Sequence, residues 1–513
     1  MIRLLLVLLL VSLSACQSVK KSNRFMAEKI PAEKLRADVD FSYQKLKRYH
    51  PNLYWYISKE DLDYKFDSLK TTIQKPLTPN EFYFVLAPVI ASIGEGHLRL
   101  RSYPKRYSKA EEKALKKKNP LFAQMEYKVL GNRLFVTENK HHIGNILPGS
   151  EILKINEDYV ADLIEKYNRL YSSDGKNKTF QKYFINLTFF SFYTLEKGYL
   201  DSASLLVKKD NTISNIKIIR TKKSDNDLKK EEEKPKISEL QKVKDFNPKA
   251  NTYNRDFKFI NADSSIAYIR IKSFSANYAK KFYKTSFQKI KNANSDYLIL
   301  DIRDNLGGSL SEINTLYSYL ADKEFRLIKA PEMTSRTSGM SQNYFRGQNA
   351  FSAVLTAAGY PFFLAGNFFL STKKEQHYYF RDFNSRPAKP QKNAFKGSLY
   401  VLVNGASFSA SSIIAAKLKF EKRALIIGEE TGGANDGTVA GVNNTVTLPN
   451  SKLTLPIGLF LIRPNITFEN KSRGVTPDFY VDPDFENLKT SDDKTLKWVL
   501  DDISFRNTVI KNN

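Results

Sequence analysis

Leu399-Tyr-Val-Leu-Val-Asn-Gly-Ala-Ser-Phe-Ser-Ala-Ser-Ser-Ile-Ile-Ala-Ala-Lys-Leu418 decides how the rest of the chain is read. Leu399 to Val403 is a short apolar run of branched and aromatic residues, the pattern of a buried strand. Asn404-Gly405 breaks it as turn residues do. Four serines follow, Ser407, Ser409, Ser411 and Ser412, and then an apolar, alanine-rich segment, Ile413 to Phe420, of helical character. A strand, a tight turn and a helix place a serine at a helix N-terminus. Free N–H groups and the helix dipole there favour developing negative charge. That suits a nucleophilic serine with an oxyanion hole, and it equally suits a serine that only caps the helix.

Working outward, 513 residues imply several structural units, and 42% hydrophobic residues supply ample core. The formal net charge of +27 raises the question of nucleic acid. The excess is mostly lysine spread along the chain, with no zinc-finger spacing and no basic region joined to heptads. A lysine-rich composition bias, or attraction to an anionic membrane surface, fits better, and no nucleic-acid partner is expected. Cys16 is the only cysteine, which excludes an internal disulfide and cysteine metal clusters.

The first 15 residues carry an early arginine, an apolar run and small residues, a signal peptide too short for an ordinary membrane span. Leu13-Ser14-Ala15-Cys16 resembles the lipobox of bacterial lipoproteins. The resemblance implies cleavage before Cys16, lipidation of Cys16 and a tether over 16–27. It also implies a place in the bacterial cell envelope, facing the periplasm.

An N-terminal helical region is expected over 28–102. Leu35, Val39, Tyr43 and Leu46 recur at helical spacing, Ser58 to Asp61 reads as a cap, and Pro79 opens a third helix. Its end, Ile93-Gly94-Glu95-Gly96-His97, puts a histidine in a glycine-framed corner. His50, beside Pro51, reads as structural, and His141, His142 and His377 carry no motif. Residues 103–221 show short strands between turns. Pro148-Gly149 followed by Ile152 to Asn156 and a helical run resembles a PDZ-like domain, a type of module that holds peptides along a sheet edge. Residues 222–252 are rich in charge and read as a solvated linker. Over 253–513, strands alternate with helices, the signature of an α/β domain with parallel pairing. The expected class is thus α/β, an α+β multidomain chain.

Four stretches in order resemble the C-terminal-processing (tail-specific) serine peptidases, in their tricorn-like branch. They are Ile93 to His97, Leu300-Asp-Ile-Arg-Asp-Asn-Leu-Gly-Gly308, Val403 to Ser411 and Gly428-Glu-Glu-Thr-Gly-Gly433, with Arg473-Gly-Val-Thr-Pro-Asp478 as a fifth. The resemblance implies Ser409 as nucleophile, with Ser407 and Ser411 shaping the turn. It implies an oxyanion hole from the N–H of Ala410 and one from Gly307 or Gly308. Ala434 stands where the processing branch has its lysine, so His97 becomes the general base. Glu469 is the carboxylate expected to orient it, with Glu429 and Glu430 as alternatives. Asp301, Arg303 and Asp304 read as braces of the glycine loop. The implied activity is hydrolysis of a peptide or protein substrate through an acyl-enzyme, with neither metal nor organic cofactor. A non-catalytic peptide-binding protein on the same scaffold and an esterase are the rival readings.

Overall fold

The computed structural model describes residues 19–223, 245–247, 252–275, 278–345, 350–467, 472–482 and 493–512. The leader with Cys16, and Glu469, lie outside the described residues.

The three expected helices form as Ala32–Tyr49, Lys59–Thr72 and Pro79–Ala91. Their starts follow from their caps. Ser58 Oγ accepts from Asp61 N at 3.0 Å, and Thr78 with Glu81 makes a reciprocal capping box that satisfies two backbone donors. Next comes a six-stranded antiparallel sheet, ordered Met125–Leu130, Arg133–Asn139, Glu151–Ile155, Ser202–Lys209, Thr212–Ile219, with Asp158–Tyr159 beside the third strand. Helices Val160–Asn168 and Thr179–Lys197 pack on it. Leu35 and Leu86 from the helices share one apolar core with Val136, Ile155 and Leu205 from the sheet. The linker expected over 222–252 does not stay solvated to its end. Asp245 is buried against Arg255, and Phe246–Asn247 pairs with Thr252–Tyr253.

The last half carries a second six-stranded sheet. Its order is Phe479–Tyr480, Leu425–Gly428, Ser398–Val403, Tyr297–Asp301, Ile266–Ile271, Arg255–Phe259, parallel except for the last pair. Alternating side chains feed two cores. Ile269, Leu300 and Val401 meet the helices Ala279–Asn292, Leu310–Ser318 and Ala410–Phe420, while Ile299, Tyr400 and Leu402 meet Lys494–Asn512. Asp301 pairs with Leu402, and Val403 with Gly428. The loops after these strands therefore leave from one edge, where sites in parallel sheets gather.

A third sheet is antiparallel and contains the long hairpin Thr438–Thr447 and Thr454–Ile462. Its tip reaches the other end of the chain. Leu448, Leu455 and Ile457 are buried in the N-terminal core. Asp38, fully buried on the first of these helices, accepts from Asn450 N at 3.0 Å and Ser451 N at 2.7 Å. Thr454 pairs with Arg101 through N–H···O bonds of 2.8 and 3.2 Å. The helix Ala350–Leu370, without a charged residue, had no counterpart in the sequence reading. Among the described residues no helix is long and apolar enough to cross a membrane.

The Asp38 clamp predicts a large local cost. Asp38→Ala leaves buried backbone donors unpaired and is expected to lower stability by about 2–4 kcal/mol. Asp40→Ala, at an exposed pair with Lys70, is expected to cost below about 1 kcal/mol. Urea denaturation of both variants checks this, and equal losses would count against the clamp.

Candidate active site

The turn after Ser398–Val403 is stitched to the loop after Tyr297–Asp301. Asn404 Oδ1 accepts from Asp304 N at 3.0 Å, and Asn404 Nδ2 donates to Asp304 Oδ1 at 2.9 Å. Two of the four serines are spent in this stitching, and a third closes the turn on itself. Ser407 Oγ donates to Ile302 O at 2.8 Å, Ser411 Oγ to Asn305 O at 2.8 Å, and Ser412 Oγ to Ser407 O at 3.1 Å, all in buried positions. Ser409 differs from them. It is half-buried, and its Oγ makes no hydrogen bond among the described residues. It does not cap the helix that it precedes. Its backbone sits at φ 56° and ψ −118°, a region that side-chain-bearing residues rarely occupy. Strain held at one hydroxyl-bearing residue, while its neighbours lock the turn, exposes that hydroxyl at the helix N-terminus.

Gly307 (φ 100°) approaches this turn so closely that a Cβ there would stand 2.8 Å from Ser409 Cβ and 2.9 Å from Ala410 N. The backbone N–H of Gly307 is committed to Asn305 Oδ1 at 2.9 Å. Those of Gly308 and Ala410 have no acceptor among the described residues. Asp301 and Arg303 brace the same loop through bonds of 2.9 and 2.6 Å, and Arg303 continues to Asp493 at 2.7 Å. The bracing roles read from the sequence thus hold for Asp301, Arg303 and Asp304.

His97 arrives from the N-terminal region. Its ring packs on Phe408, the residue before Ser409, with centroids 4.8 Å apart. Gly96 is required for this, since a Cβ there would lie 2.5 Å from the Phe408 ring. Gly96 N donates to Asp174 Oδ1 at 2.8 Å. His97 Nδ1 lies 2.9 Å from Thr438 Oγ1, and the Asp174 carboxylate also interacts with the Thr438 hydroxyl. No hydrogen bond joins Ser409 to His97 in this structure; catalytic hydrogen bonds are often long before substrate arrives. Burial, aided by the nearby Arg99 charge, pushes the His97 imidazole down from 6.5 to about 4. Glu95, Asp174 and Asp436 are buried in the same region, and burial raises all three carboxyls above their usual range.

The two alternative orienting carboxylates are engaged elsewhere. Glu429 is buried, pairs with Lys182 Nζ at 2.9 Å and accepts from Gly405 N at 3.2 Å. Glu430 holds Arg473 at 2.8 Å and Gly474 N at 2.8 Å, docking the fifth stretch onto the fourth. Glu469 lies outside the described residues. His50 is buried with Nδ1 accepting from Asn52 N at 3.3 Å, in keeping with a structural role. Thr438 and Asp174 were not singled out in the sequence. Asp174-Gly175 was legible as a turn, but nothing local to either residue points to His97. Among the described residues no group of His, Cys, Asp and Glu could hold a metal ion.

Comparison with known proteins agrees with this architecture. Residues 265–481 match the model of peptidase family S41. No match is found among curated proteins. The crystal structure of mature CPAF is similar at TM-score 0.54 and 15% identity, covering 88% of this chain and 92% of that one. Mature CPAF complexed with lactacystin gives TM-score 0.54 and 16% identity, covering 88% and 94%. The photosystem II D1 C-terminal processing protease is more distant, at TM-score 0.39 and 14% identity over 88% and 93% of the two chains. At such identities the CPAF likeness speaks for the fold. Residues 265–481, somewhat under half of the chain, match peptidase family S41, and this match with the site described above marks a serine-type peptidase.

Proposed function

We propose that the chain hydrolyses peptide bonds through an acyl-enzyme on Ser409, with His97 as general base, from a lipid anchor at Cys16 in the cell envelope, facing the periplasm. The observation that carries the chemistry is the contrast among the serines. Ser407, Ser411 and Ser412 are bonded and buried, while Ser409 is strained, unbonded and set against the ring stack that ends in His97.

The steps follow from that geometry. Ser409 Oγ attacks the scissile carbonyl as its proton passes to His97 Nε2. The oxyanion develops at the N-terminus of Ala410–Phe420, against the N–H of Ala410 and one from the Gly307–Gly308 turn. Gly308 can donate as it stands, whereas Gly307 must first leave Asn305. The tetrahedral adduct collapses, and the leaving amine takes the proton from His97. Water, deprotonated by His97, then releases the acyl group. Thr438 sets the tautomer in this scheme. Nδ1–H donates to Thr438 Oγ1, the Thr438 hydroxyl donates to Asp174, and Nε2 is left free to accept. Glu469 is the other candidate for orienting the base. The PDZ-like sheet of residues 125–219 would present substrate along an edge strand.

Labelling with a fluorophosphonate probe tests the nucleophile. The native chain is expected to react, Ser409→Ala to be silent, and lactacystin, which mature CPAF holds in its complex, to compete. A folded native chain that takes no label would remove the reading. For the base, His97→Ala is expected to lower kcat about a thousandfold or more. Thr438→Val should lower it roughly 10–100-fold. A greater loss in Glu469→Ala than in Thr438→Val would transfer the orienting role to Glu469.

The low-lying imidazole sets a pH profile. His97 stays neutral, and able to accept a proton, down to about pH 4, so kcat/KM is expected to hold through mild acid and fall there. The same depression costs stability. Below 6.5 the unfolded chain takes up protons that folded His97 refuses until about 4 and folded His50 until about 3, so these two histidines lower stability as pH falls through that window, while the raised carboxyls of Glu95, Asp174 and Asp436 act in the opposite sense. Circular dichroism alongside the kinetics separates the two.

The backbone of Ser409 yields a further expectation. Ser409→Gly removes a strain of about 1–3 kcal/mol that Ser409→Ala keeps. The glycine variant should have the higher urea midpoint although both are inactive; the reverse order would contradict a strained nucleophile turn.

A further inference from the structure

The helix Ala350–Leu370 carries none of the residues of the candidate active site. It has no charged residue, and it leads directly into Ser371–Lys374, an edge strand of the third sheet. One side of it rests on the turn Ser338–Ser341 and on Tyr344, whose ring stacks on Phe363 at 4.3 Å. That support is slight, for no described side chain of the helix is buried. The other side is open. Ala358, Pro361, Phe362, Ala365 and Phe369 recur at helical spacing and are all exposed, Phe362 at 80% and Phe369 at 75%. A continuous apolar face left on the surface marks a contact with something apolar.

Cations gather at the C-terminal end of this face. The Arg336 guanidinium lies over the Phe368 ring, 4.1 Å from its centre. Arg381 N donates to Leu370 O at 2.9 Å, which sets Arg381 at the helix end. Lys373 and Lys374 follow in the strand, and Lys373 lies over the Tyr378 ring at 5.7 Å. These four cations are exposed, and none forms an ion pair with a described residue.

Charge decides what covers the face. A two-fold contact pairs a patch with itself, so a second copy would bring these cations against their equivalents, between chains that each carry a formal +27. A bilayer with anionic headgroups offers the opposite, acyl chains for the phenylalanines and phosphates for the cations. Aromatic rings rimmed by lysine and arginine are the composition of surfaces that sit at a membrane interface.

We propose that Ala350–Leu370 is a membrane-docking helix. It lies along the surface of an anionic bilayer, with Phe362 and Phe369 among the acyl chains and Arg336, Lys373, Lys374 and Arg381 on lipid phosphates. This contact is separate from the lipid proposed at Cys16 and from the chemistry at Ser409.

Vesicle sedimentation tests it on the chain from Cys16 to Asn513, made without its leader and so without lipid; every described residue is retained. Binding to vesicles of equal parts phosphatidylglycerol and phosphatidylcholine is expected to be about tenfold or more tighter than to phosphatidylcholine alone. Phe362→Ser combined with Phe369→Ser should weaken it about tenfold or more. Both rings are largely exposed, so the exchange removes little packing, and circular dichroism checks the fold. Lys373→Gln combined with Lys374→Gln should narrow the preference for anionic vesicles. Phe362→Trp, read against the native chain with its Trp55 and Trp498, is expected to show added quenching by brominated acyl chains. No binding to the anionic vesicles, or no added quenching in Phe362→Trp, overturns the proposal. So does binding that the double serine variant leaves unchanged, since net charge alone would then adsorb the chain. A dimer in solution that the serine variant splits gives the face to a second copy and also overturns it. Fluorophosphonate labelling is expected to be equal in the native chain and the serine variant, so the catalytic reading and this surface can fail independently.

Discussion

The pairing of one hairpin with the segment that carries His97 is the constraint on which the site depends. Arg101 exchanges backbone bonds with Thr454 on one strand, while Thr438 on the other meets the His97 ring. The hairpin belongs to the catalytic region, and its tip is buried in the N-terminal core under Leu448, Leu455 and Ile457. Asp38 holds that tip through buried, charge-assisted bonds, which are worth more than exposed ones. Without this interlock, the helical region would carry the histidine on a separate body. With it, His97 and Ser409 share one frame.

The electrostatics of the site follow from its apolar packing. Phe408 and Phe180 crowd the His97 corner, and a lowered dielectric there disfavours charged forms. Burial therefore favours the neutral imidazole and raises the carboxyls of Glu95, Asp174 and Asp436 above their usual range. The missing family lysine fits this setting. Ala434 is buried beside the Asp174 carboxylate, and its N–H reaches Asp174 Oδ2 at 3.5 Å. In the proposed reaction, helix dipole and backbone donors meet negative charge at Ser409, while a neutral histidine meets its proton. The two tasks are supplied by elements that are remote in the chain.

Much of this was legible beforehand. The strands at 297–301 and 399–403 announced themselves by unbroken apolar runs, because parallel strands are buried on both faces. The approach of His97 to the Ser409 turn was legible through short motifs whose glycines leave room: Gly96 for the Phe408 ring, Gly307 for the serine itself. The helix start at Ala410 rather than Ile413 was not legible, since serines and alanine carry no apolar period. The choice between Gly307 and Gly308 was not legible either, because it turns on a hydrogen bond from Asn305. The charged stretch before 252 misled at its end, where burial against Arg255 overrode its composition.

By itself the sequence determined the class of fold and the strand–turn–helix that presents Ser409. These are written in local periodicity and in turn residues, which act over a few positions. Only the tertiary structure decided which serine hydroxyl stays free, what holds Nδ1 of His97, and that Arg99 lies over the Phe184 ring. Those depend on contacts between segments far apart in the chain. Thr438, Asp174 and Arg99 look like ordinary polar residues until the hairpin and the helices bring them against His97 and Phe184.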